Sequence, residues 1–442
     1  MLLFWYQYNN AMKKIKINIS IFIYSILTNL FRVVAKIYLS LRLKNDKETS
    51  ISIKQKLALN MPVKIQKKII WIHAASVGEA YTGLTVAEII LRNFPELNIL
   101  LTTSTITSAE MINNSKNKNI IHQFLPLDIK VYILKFLKHW NPKICIFMES
   151  EMWPNYFLEI EKSETPFYIL NARLSKRSYK NWSRQGQLAS KLINIPNIVS
   201  CQDKDTLDRL NNLSASNAIL SENIKFANPK LPINRDEYQK LKKSINDKIF
   251  YIAASTHKKE NEFIINNHEK LLRSFPNLVC IIAPRHPSTI NEVIQLAQQK
   301  RMNWSYLPSK IYDKSTKLFI VSQIGILGTY FAISDFAILG GSFQNHGGHN
   351  PIEALQHNCR VIHGKYTQNF SDIYQSLGQL NCTYMISDER ELFEQISIFI
   401  KDKKKNNEPL SNLEKVINNK RDNVIKEIKN LIFKEIEESK NE

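Results

Sequence analysis

The segment Gly340–Glu353, GGSFQNHGGHNPIE, has the residue types and spacing of a phosphate-binding loop. An apolar run, Phe336–Leu339, leads into two pairs of adjacent glycines, and Asn-Pro-Ile-Glu then opens an apolar segment. Asn suits a helix N-cap and Pro suits the first helical position, where unpaired N–H groups attract phosphate. Seven of the 11 glycines of the chain lie between Gly325 and Gly364. This clustering favours a ligand-binding loop over an ordinary capped helix.

Arg285 is a candidate cation for the same ligand. It lies in Pro284–Pro287, directly after the apolar run Leu278–Ala283, which reads as a strand. A guanidinium at the carboxyl end of a strand can clamp a phosphate through two hydrogen bonds. A surface turn explains the same residues equally well.

Three carboxylates follow other strand-like runs. Glu79 comes after Ile69–Ile72 and opens a helical pattern, whereas Glu149 and Glu151 follow Lys143–Met148. Glu79 is either favourable charge at a helix start or a general base facing a cleft. Glu149 and Glu151 either hold an acceptor and assist proton transfer or supply helix-start acidity.

Two further basic side chains lie beyond strand candidates. Arg173, in Asn171-Ala172-Arg173, and Lys225, in Asn223–Phe226, can face an acidic substrate, although a solvated surface charge is the simpler explanation of each. The sequence contains no cluster with metal-ligand spacing, which predicts a metal-independent reaction. The five cysteines are scattered without a CxxC pair and predict buried free thiols in a reducing compartment.

Short apolar runs alternate with amphipathic helical patterns along most of the chain. This alternation is typical of βαβ units around parallel sheets, and it restarts after the proline-containing segment Asn228–Gln239. The sequence therefore predicts an α/β protein with two doubly wound domains, at 46–230 and 231–442. The second domain includes a charged helical tail beyond Asn407. Ligands of such sheets bind outside the carboxyl ends of the strands, here in a cleft between the domains.

Residues 1–45 are predicted to form a membrane anchor. Lysines precede the apolar run Ile17–Phe31, which is shorter than the roughly 20 residues that a spanning helix needs. Arg32 and Lys36 follow it, and Val33–Leu43 continues apolar. We expect an interfacial helix or a marginal single span with the body in the cytoplasm, the alternative being a helix packed on its own domain.

The chain is strongly basic, with a formal net charge of +20. Such a charge suits nucleic acid, an anionic membrane or an acidic substrate. Aromatic and basic residues do not interleave, and no nucleic-acid motif is present, so we expect no nucleic-acid partner.

In this order, the segments resemble the 3-deoxy-D-manno-octulosonic acid (Kdo) transferases of lipopolysaccharide synthesis. The resemblance covers roughly residues 20–380 and is carried by HAASVGEA at His73–Ala80, MESEMWPN at Met148–Asn155, NARLSKRS at Asn171–Ser178, NIKF at Asn223–Phe226, ASTHKKE at Ala254–Glu260, APRHP at Ala283–Pro287 and GGSFQNHGGHNPIEAL at Gly340–Leu355. It implies a GT-B glycosyltransferase, with two Rossmann-like domains facing a central cleft, on the cytoplasmic face of the inner membrane.

The resemblance also implies a reaction and a set of site residues. The family transfers Kdo from CMP-Kdo to the glycolipid lipid IVA; by that resemblance Glu79 is the general base, and Glu149, Glu151 and Lys225 are site residues. The residues that would grip CMP are Pro284, Arg285, Ile324, Gly325, Ile326, Asn350, Pro351, Ile352 and Glu353. Ser322 and Ile326 stand where the family usually has acidic residues, and Ala227 stands where it has Asp.

Three other functions fit parts of the sequence. One is a GT-B transferase or epimerase that uses another nucleotide sugar. The second is a non-catalytic membrane-surface protein on a decayed transferase scaffold, which the lost acidic residues would explain. The third, a nucleic-acid binder, rests on net charge alone.

Overall fold

The computed structural model describes residues 2–64, 67–115, 117–244, 248–309, 312–323, 325–401 and 408–441. It divides into two compact units: Met1–Asn228 with Lys420–Glu442, and Pro229–Asn419.

The first unit contains a seven-stranded parallel sheet in the order β3-β2-β1-β4-β5-β6-β7. Its strands are β1 (Ile69–His73), β2 (Asn98–Thr103), β3 (Ile120–Phe124), β4 (Ile144–Met148), β5 (Phe167–Ala172), β6 (Ile198–Cys201) and β7 (Ala218–Leu220). Residues of β1 alternate between two cores: Ile70 and Ile72 pack on one face of the sheet, and Ile69 and Trp71 on the other. Burial on both faces explains why these strands read as continuous apolar runs.

The second unit repeats this architecture with the order β10-β11-β9-β8-β12-β13-β14. Its strands are β8 (Ile249–Thr256), β9 (Leu278–Pro284), β10 (Trp304–Leu307), β11 (Leu318–Val321), β12 (Phe336–Leu339), β13 (Arg360–His363) and β14 (Thr383–Met385). In both sheets the strand order reverses beside the central strand, and that reversal is where open α/β sheets bind ligands.

The helices connect and cover the strands. Those that begin in the first unit are α1 (Leu2–Lys44), α2 (Ser50–Lys56), α3 (Val77–Asn93), α4 (Ile106–Asn113), α5 (Lys130–Trp140), α6 (Pro154–Lys162), α7 (Lys176–Ser183), α8 (Gln187–Ile193), α9 (Lys204–Asn212) and a 3₁₀ turn (Ile224–Ala227). Those that begin in the second are α10 (Arg235–Ser244), α11 (Lys258–Ser274), a 3₁₀ turn (Pro287–Thr289), α12 (Ile290–Gln299), α13 (Leu327–Ile333), α14 (Ile352–Leu355), α15 (Ser371–Gly378), α16 (Glu389–Lys401) and α17 (Glu408–Asn441).

The predicted α/β class and parallel sheets are confirmed, with differences at the edges. The four strands that the sequence missed, β3, β7, β10 and β14, are outermost in their sheets. Edge strands here are short or half-exposed, so they lack a continuous apolar run. The five cysteines are buried free thiols, as predicted.

The helical tail is confirmed, but its assignment to the second domain is wrong. Residues 420–442 belong to the first unit. Val424, Ile428, Ile432 and Ile436 recur every four residues and are buried in the first core. Phe433 meets Phe94 edge to face with ring centroids 4.9 Å apart. Full burial of each aliphatic side chain stabilises by roughly 1.5–3 kcal/mol, which holds this part of α17 to the first unit.

The N-terminal helix α1 is longer than the apolar run that predicted it. Residues Ile19–Lys44 are long and apolar enough to cross a membrane by length and composition, with a mean hydropathy of 1.4. One side of α1 packs on its own unit, because Ala35 and Leu39 are buried against Leu57 and Ile129. The opposite side exposes large apolar side chains, among them Phe22, Leu30, Val33 and Ile37.

A polar contact also holds α1 to its unit. Tyr24 donates a hydrogen bond to Asp128 Oδ2 (2.8 Å), and Asn155 Nδ2 donates to Thr28 Oγ1 (3.1 Å). Asp128 also accepts the backbone N–H of Asn155 (3.3 Å) and of Tyr156 (3.0 Å), while burial raises the pKa of its carboxyl to about 6. Helix α1 therefore contacts the segment that carries the Met148–Asn155 motif.

Candidate functional site

In the first unit, the predicted carboxylates meet at the carboxyl ends of β1 and β4. These strands are parallel neighbours, with His73 beside Phe147, so the segments that follow them leave the sheet at the same edge. Glu79 follows β1, and Glu149 and Glu151 follow β4. The charges of Glu149 and Glu151 both raise the pKa of Glu79, as expected for carboxylates that face one another.

Glu79 occupies the first turn of α3 and is 9% exposed. Ser76 caps this helix, and Glu79 Oε2 accepts the backbone N–H of Ala75 at 2.7 Å. Burial is the largest cause that raises the pKa of Glu79 to about 7, and the two neighbouring glutamates add to it. A carboxyl that titrates near neutral pH can accept a proton from a hydroxyl more readily than an ordinary carboxylate can.

Glu149 instead forms an ion pair with Lys225. Its Oε1 lies 2.5 Å from Lys225 Nζ, and about a tenth of each side chain is exposed. The backbone of Glu149 has a φ of 54°, in the left-handed region that a β-carbon makes costly. Such backbone strain is common at functional sites and is consistent with a fixed direction for this carboxylate.

Lys225 is held in place by the Asn-Ala-Arg motif. Asn171 is the penultimate residue of β5 and accepts the backbone N–H of Ile224 at 2.9 Å through Oδ1. Its Nδ2 donates to Gln202 Oε1 at 3.0 Å. Asn171 thus links the end of β5 to the 3₁₀ turn that carries Lys225, which explains the motif without a ligand. Arg173 lines a small cavity beside Glu149 in the same unit.

Glu151 has a third set of partners. His73 Nε2 lies 3.5 Å from Glu151 Oε2, and Trp153 Nε1 donates to the same oxygen at 2.6 Å. Burial opposes ionisation, yet the nearby His73 imidazole and the hydrogen bond from Trp153 outweigh it and lower the pKa of Glu151. His73 is fully buried, and its Nδ1 lies 3.0 Å from Thr102 Oγ1. The sequence did not single out His73 because a histidine that ends an apolar strand carries no periodicity signal.

In the second unit, Glu260 organises the glycine loop. This side chain is 1% exposed; its Oε2 accepts the backbone N–H of His257 (2.9 Å) and Gly341 (2.8 Å), and its Oε1 accepts that of Phe343 (3.1 Å). Glu260 was part of the ASTHKKE segment but was assigned no role, since its two partners in the glycine loop are backbone groups 81 and 83 residues away.

The glycines of this loop serve the protein's own packing. A β-carbon on Gly340 would lie 2.4 Å from Ser255 O, and Gly341, Gly347 and Gly348 all have positive φ. The sequence interpretation that glycines let the backbone approach a ligand is therefore not required. Close backbone packing and left-handed turns already explain these four residues.

The helix expected after the loop is a single turn. α14 contains four residues, Ile352–Leu355, with Pro351 at the N-cap instead of the first helical position. Asn350 Oδ1 nevertheless accepts the N–H of Ile352 at 3.1 Å, and Asn350 Nδ2 lies 3.4 Å from Glu353 Oε1. Pro351 and Ile352 are buried. One turn has little dipole, and the N–H of Ile352 is already used, so the anion-binding argument from this helix start is weakened.

Arg285 lies at the carboxyl end of β9, as predicted, and its side chain is exposed. Pro284 is the last residue of that strand, and the backbone N–H of Arg285 donates to Thr256 O at the end of β8 (2.9 Å). Burial is the largest cause that lowers the pKa of His257 and of His349, and the charge of Arg285 lowers both as well, as expected for a guanidinium on the glycine-loop side of the sheet edge.

The third predicted nucleotide-contacting segment is partly described. Gly325 has a φ of 86°, and a β-carbon there would meet no atom of the described residues within 4 Å, while Ile326 is the N-cap of α13. Ile324 lies outside the described residues. Within the described part of the chain, no three His, Cys, Asp or Glu residues are grouped to hold a metal ion.

Comparison with solved structures identifies the fold. A glycosyltransferase from Rickettsia africae is 15% identical with a TM-score of 0.55, covering 82% of this chain and 94% of that chain. The UDP-GlcNAc 2-epimerase of Neisseria meningitidis, solved with UDP-GlcNAc, is 12% identical with a TM-score of 0.56, covering 78% and 94%. At these identities the likeness concerns the fold alone, which is the two-domain Rossmann-like architecture of GT-B enzymes.

Sequence comparison defines the family. The model of the 3-deoxy-D-manno-octulosonic acid transferases matches residues 51–228. The transferase of Rickettsia bellii is 32% identical over 365 residues, covering 81% of this chain and 86% of its own. That of Haemophilus influenzae is 32% identical over 349 residues, covering 78% and 81%. The chain belongs to the 3-deoxy-D-manno-octulosonic acid (Kdo) transferase family and is a glycosyltransferase of lipopolysaccharide synthesis.

Proposed function

We propose that this transferase moves Kdo from CMP-Kdo to lipid IVA in one inverting step, with Glu79 as the general base. Glu79 accepts the proton of an acceptor hydroxyl, and the freed oxygen attacks the anomeric carbon of Kdo. The bond from that carbon to the phosphate oxygen breaks as the new bond forms. CMP leaves with the electron pair as a phosphate monoester.

The environment of Glu79 carries this proposal. Glu149 is paired with Lys225, and Glu151 accepts from Trp153 and faces His73. Glu79 accepts a backbone N–H and has a pKa raised to about 7. Glu79 is therefore the carboxylate proposed to accept the proton, and Glu149, Glu151 and Lys225 are proposed to bind and orient the acceptor sugar.

The proposed donor site lies in the second unit, at the carboxyl ends of β8, β9 and β12. Arg285 is the proposed clamp for the phosphate of CMP, with the backbone of Gly325 and Ile326 and the residues Asn350–Glu353 beside the nucleotide. Because α14 is one turn long, Arg285 and not the helix start is proposed to stabilise most of the charge that develops on the leaving phosphate.

The reaction is proposed to need no metal ion. The leaving CMP carries one phosphate, whereas a nucleoside diphosphate carries two. A guanidinium can therefore neutralise the charge for which a diphosphate would need a divalent cation. The acceptor is proposed to remain in the cytoplasmic leaflet of the inner membrane, where the exposed apolar side of α1 would keep the enzyme at the surface.

Incubation of the full chain with CMP-Kdo and lipid IVA, followed by mass spectrometry of the lipid, tests donor and acceptor together. We expect a mass increase of one or more Kdo residues, unchanged by a chelator. A matched incubation with UDP-GlcNAc serves as the donor control. If UDP-GlcNAc were consumed and CMP-Kdo were not, the proposed donor would be wrong.

A further inference from the structure

Four histidines gather at the carboxyl edge of the second sheet. His257 follows β8, His286 follows β9, and His346 and His349 lie in the glycine loop after β12. The rings of His257 and His346 are stacked with centroids 4.0 Å apart and 13° between their planes. The rings of His349 and His286 both lie 5.9 Å from that of His257. Three separate segments of the unit therefore supply one cluster of four imidazoles.

Two charged side chains face this cluster. Arg285 acts on both His257 and His349, and Glu260 acts on His257. Both carboxylate oxygens of Glu260 already accept backbone N–H groups. Burial is the largest cause that lowers the pKa of His257, and the neighbouring imidazoles and Arg285 add to it while Glu260 opposes it. Burial, together with Arg285 and the neighbouring imidazoles, lowers the pKa of His349 to about 4. The free protein thus keeps these two rings neutral near neutral pH.

One ring nitrogen of the cluster has an unmet hydrogen-bonding capacity. His349 Nε2 is buried and has no hydrogen-bond partner in the described part of the chain. Leaving a buried polar atom unpaired is costly, and such atoms are uncommon in folded proteins. The ring packs against Gly341, where a β-carbon would lie 3.0 Å from this nitrogen.

The arrangement suits an anion better than a metal ion. A metal ion requires ligand lone pairs that converge on one point. The stacked, nearly parallel rings of His257 and His346 instead point their nitrogen lone pairs alongside one another. An anion beside the cluster would raise the pKa of the imidazoles, because it attracts the positive charges that otherwise repel one another.

We propose that His257, His286, His346 and His349 form, with Arg285, a proton-linked site for the phosphate of the donor nucleotide. This proposal rests on the proposed CMP-sugar donor and adds which groups neutralise the charge of its phosphate. Binding of the phosphate brings a proton from solvent onto the cluster, and release of CMP returns it. The leaving group would then meet a cation that exists only while an anion is bound.

Titration calorimetry of the full chain with the methyl ester of CMP tests this site. The ester is a phosphodiester, as in the donor, and it has no titratable phosphate group near neutral pH. Measurements in two buffers of different ionisation enthalpy give the number of protons taken up. We expect uptake approaching about one proton per site at pH 6.5, declining toward zero by pH 8.5. Cytidine, which lacks the phosphate, is expected to cause none.

Variants assign the proton to the cluster. His257→Gln and His349→Gln remove titratable rings, so each is expected to lower proton uptake by about half or more, with affinity about tenfold weaker at pH 6.5 and within about twofold at pH 8.5. A purely structural role would weaken binding equally at both pH values. His139→Gln is the matched control, because His139 lies in the first unit and contacts Pro62 O through Nε2.

The outcomes separate this inference from the proposed function. If the ester binds without proton uptake, or if cytidine takes up as many protons, the proton-linked site is wrong and the donor stands. If neither CMP nor its ester binds while another nucleotide does, the proposed donor fails and this inference fails with it.

Discussion

Glu79, Glu149 and Glu151 are identical side chains in three different environments. Lys225 neutralises one, His73 and Trp153 stabilise the charge of another, and burial disfavours the charge of Glu79. Residue type and spacing could predict that these carboxylates gather at one sheet edge. They could not predict the partners, because Lys225 lies 76 residues from Glu149 along the chain.

Glu79→Gln is expected to lower turnover by roughly 10²–10⁴-fold with little change in affinity for CMP-Kdo, because Gln cannot accept the proton. In the unchanged protein, turnover should rise with pH through about 7, since the raised pKa leaves the carboxyl protonated below that pH. Steady-state kinetics across pH measure both effects. Glu88→Gln, on the surface of the same helix, is the control. Near-normal turnover of Glu79→Gln would remove it from the base role.

Lys225→Met is expected to lower the free energy of unfolding by about 3–5 kcal/mol, because it leaves the largely enclosed Glu149 carboxylate without its cation. Adding Glu149→Gln should recover most of that stability but not the transferase activity. Chemical denaturation and product formation measure the two properties separately. A double variant as active as the unchanged protein would make this ion pair purely structural.

Elements, not single residues, decide where the second unit can hold an anion. Where the sequence predicted the phosphate-binding start of an apolar helix, the structure has the single turn of α14, and the buried Glu260 carboxylate lies beneath the loop. The prediction went wrong because a cap residue marks where a helix begins and says nothing of its length. The strand ends that carry Arg285 and the histidines were predictable, since buried strands give the clearest apolar runs.

Arg285→Ala is expected to weaken CMP binding by about ten- to a hundredfold, as loss of a charge-assisted hydrogen bond to phosphate costs about 1.5–3 kcal/mol. Calorimetry with CMP measures it directly. Arg273→Ala, an exposed guanidinium on α11, is the control and should bind normally. Unchanged affinity in Arg285→Ala would refute its clamp role.

Ile432→Ala is expected to destabilise the protein by about 2–5 kcal/mol, because Ile432 is fully buried in the first core. Lys426→Ala, exposed on the same helix, should change stability by less than about 0.5 kcal/mol. Thermal unfolding compares the two. Equal stability of both variants would mean that α17 does not pack on the first unit in solution.

At the scale of the whole molecule, α1 combines a docked side with an exposed apolar side. Phe22→Gln with Leu30→Gln should weaken binding to anionic lipid vesicles by about 10²–10⁴-fold, at roughly 1.5–3 kcal/mol for each side chain. Sedimentation with vesicles measures the bound fraction. Ile219→Gln with Leu220→Gln, exposed on the edge strand β7, is the control pair. An equal loss in both pairs would mean that binding is not specific to α1.

The placement of residues 420–441 in the first unit has a consequence for biosynthesis. Val424, Ile428, Ile432 and Ile436 complete a core whose other members are all encoded before residue 229. A nascent chain therefore exposes that apolar surface while all of the second unit is being translated. The second unit is continuous in sequence and can reach its native packing first, so vectorial synthesis reverses the order in which the two units mature.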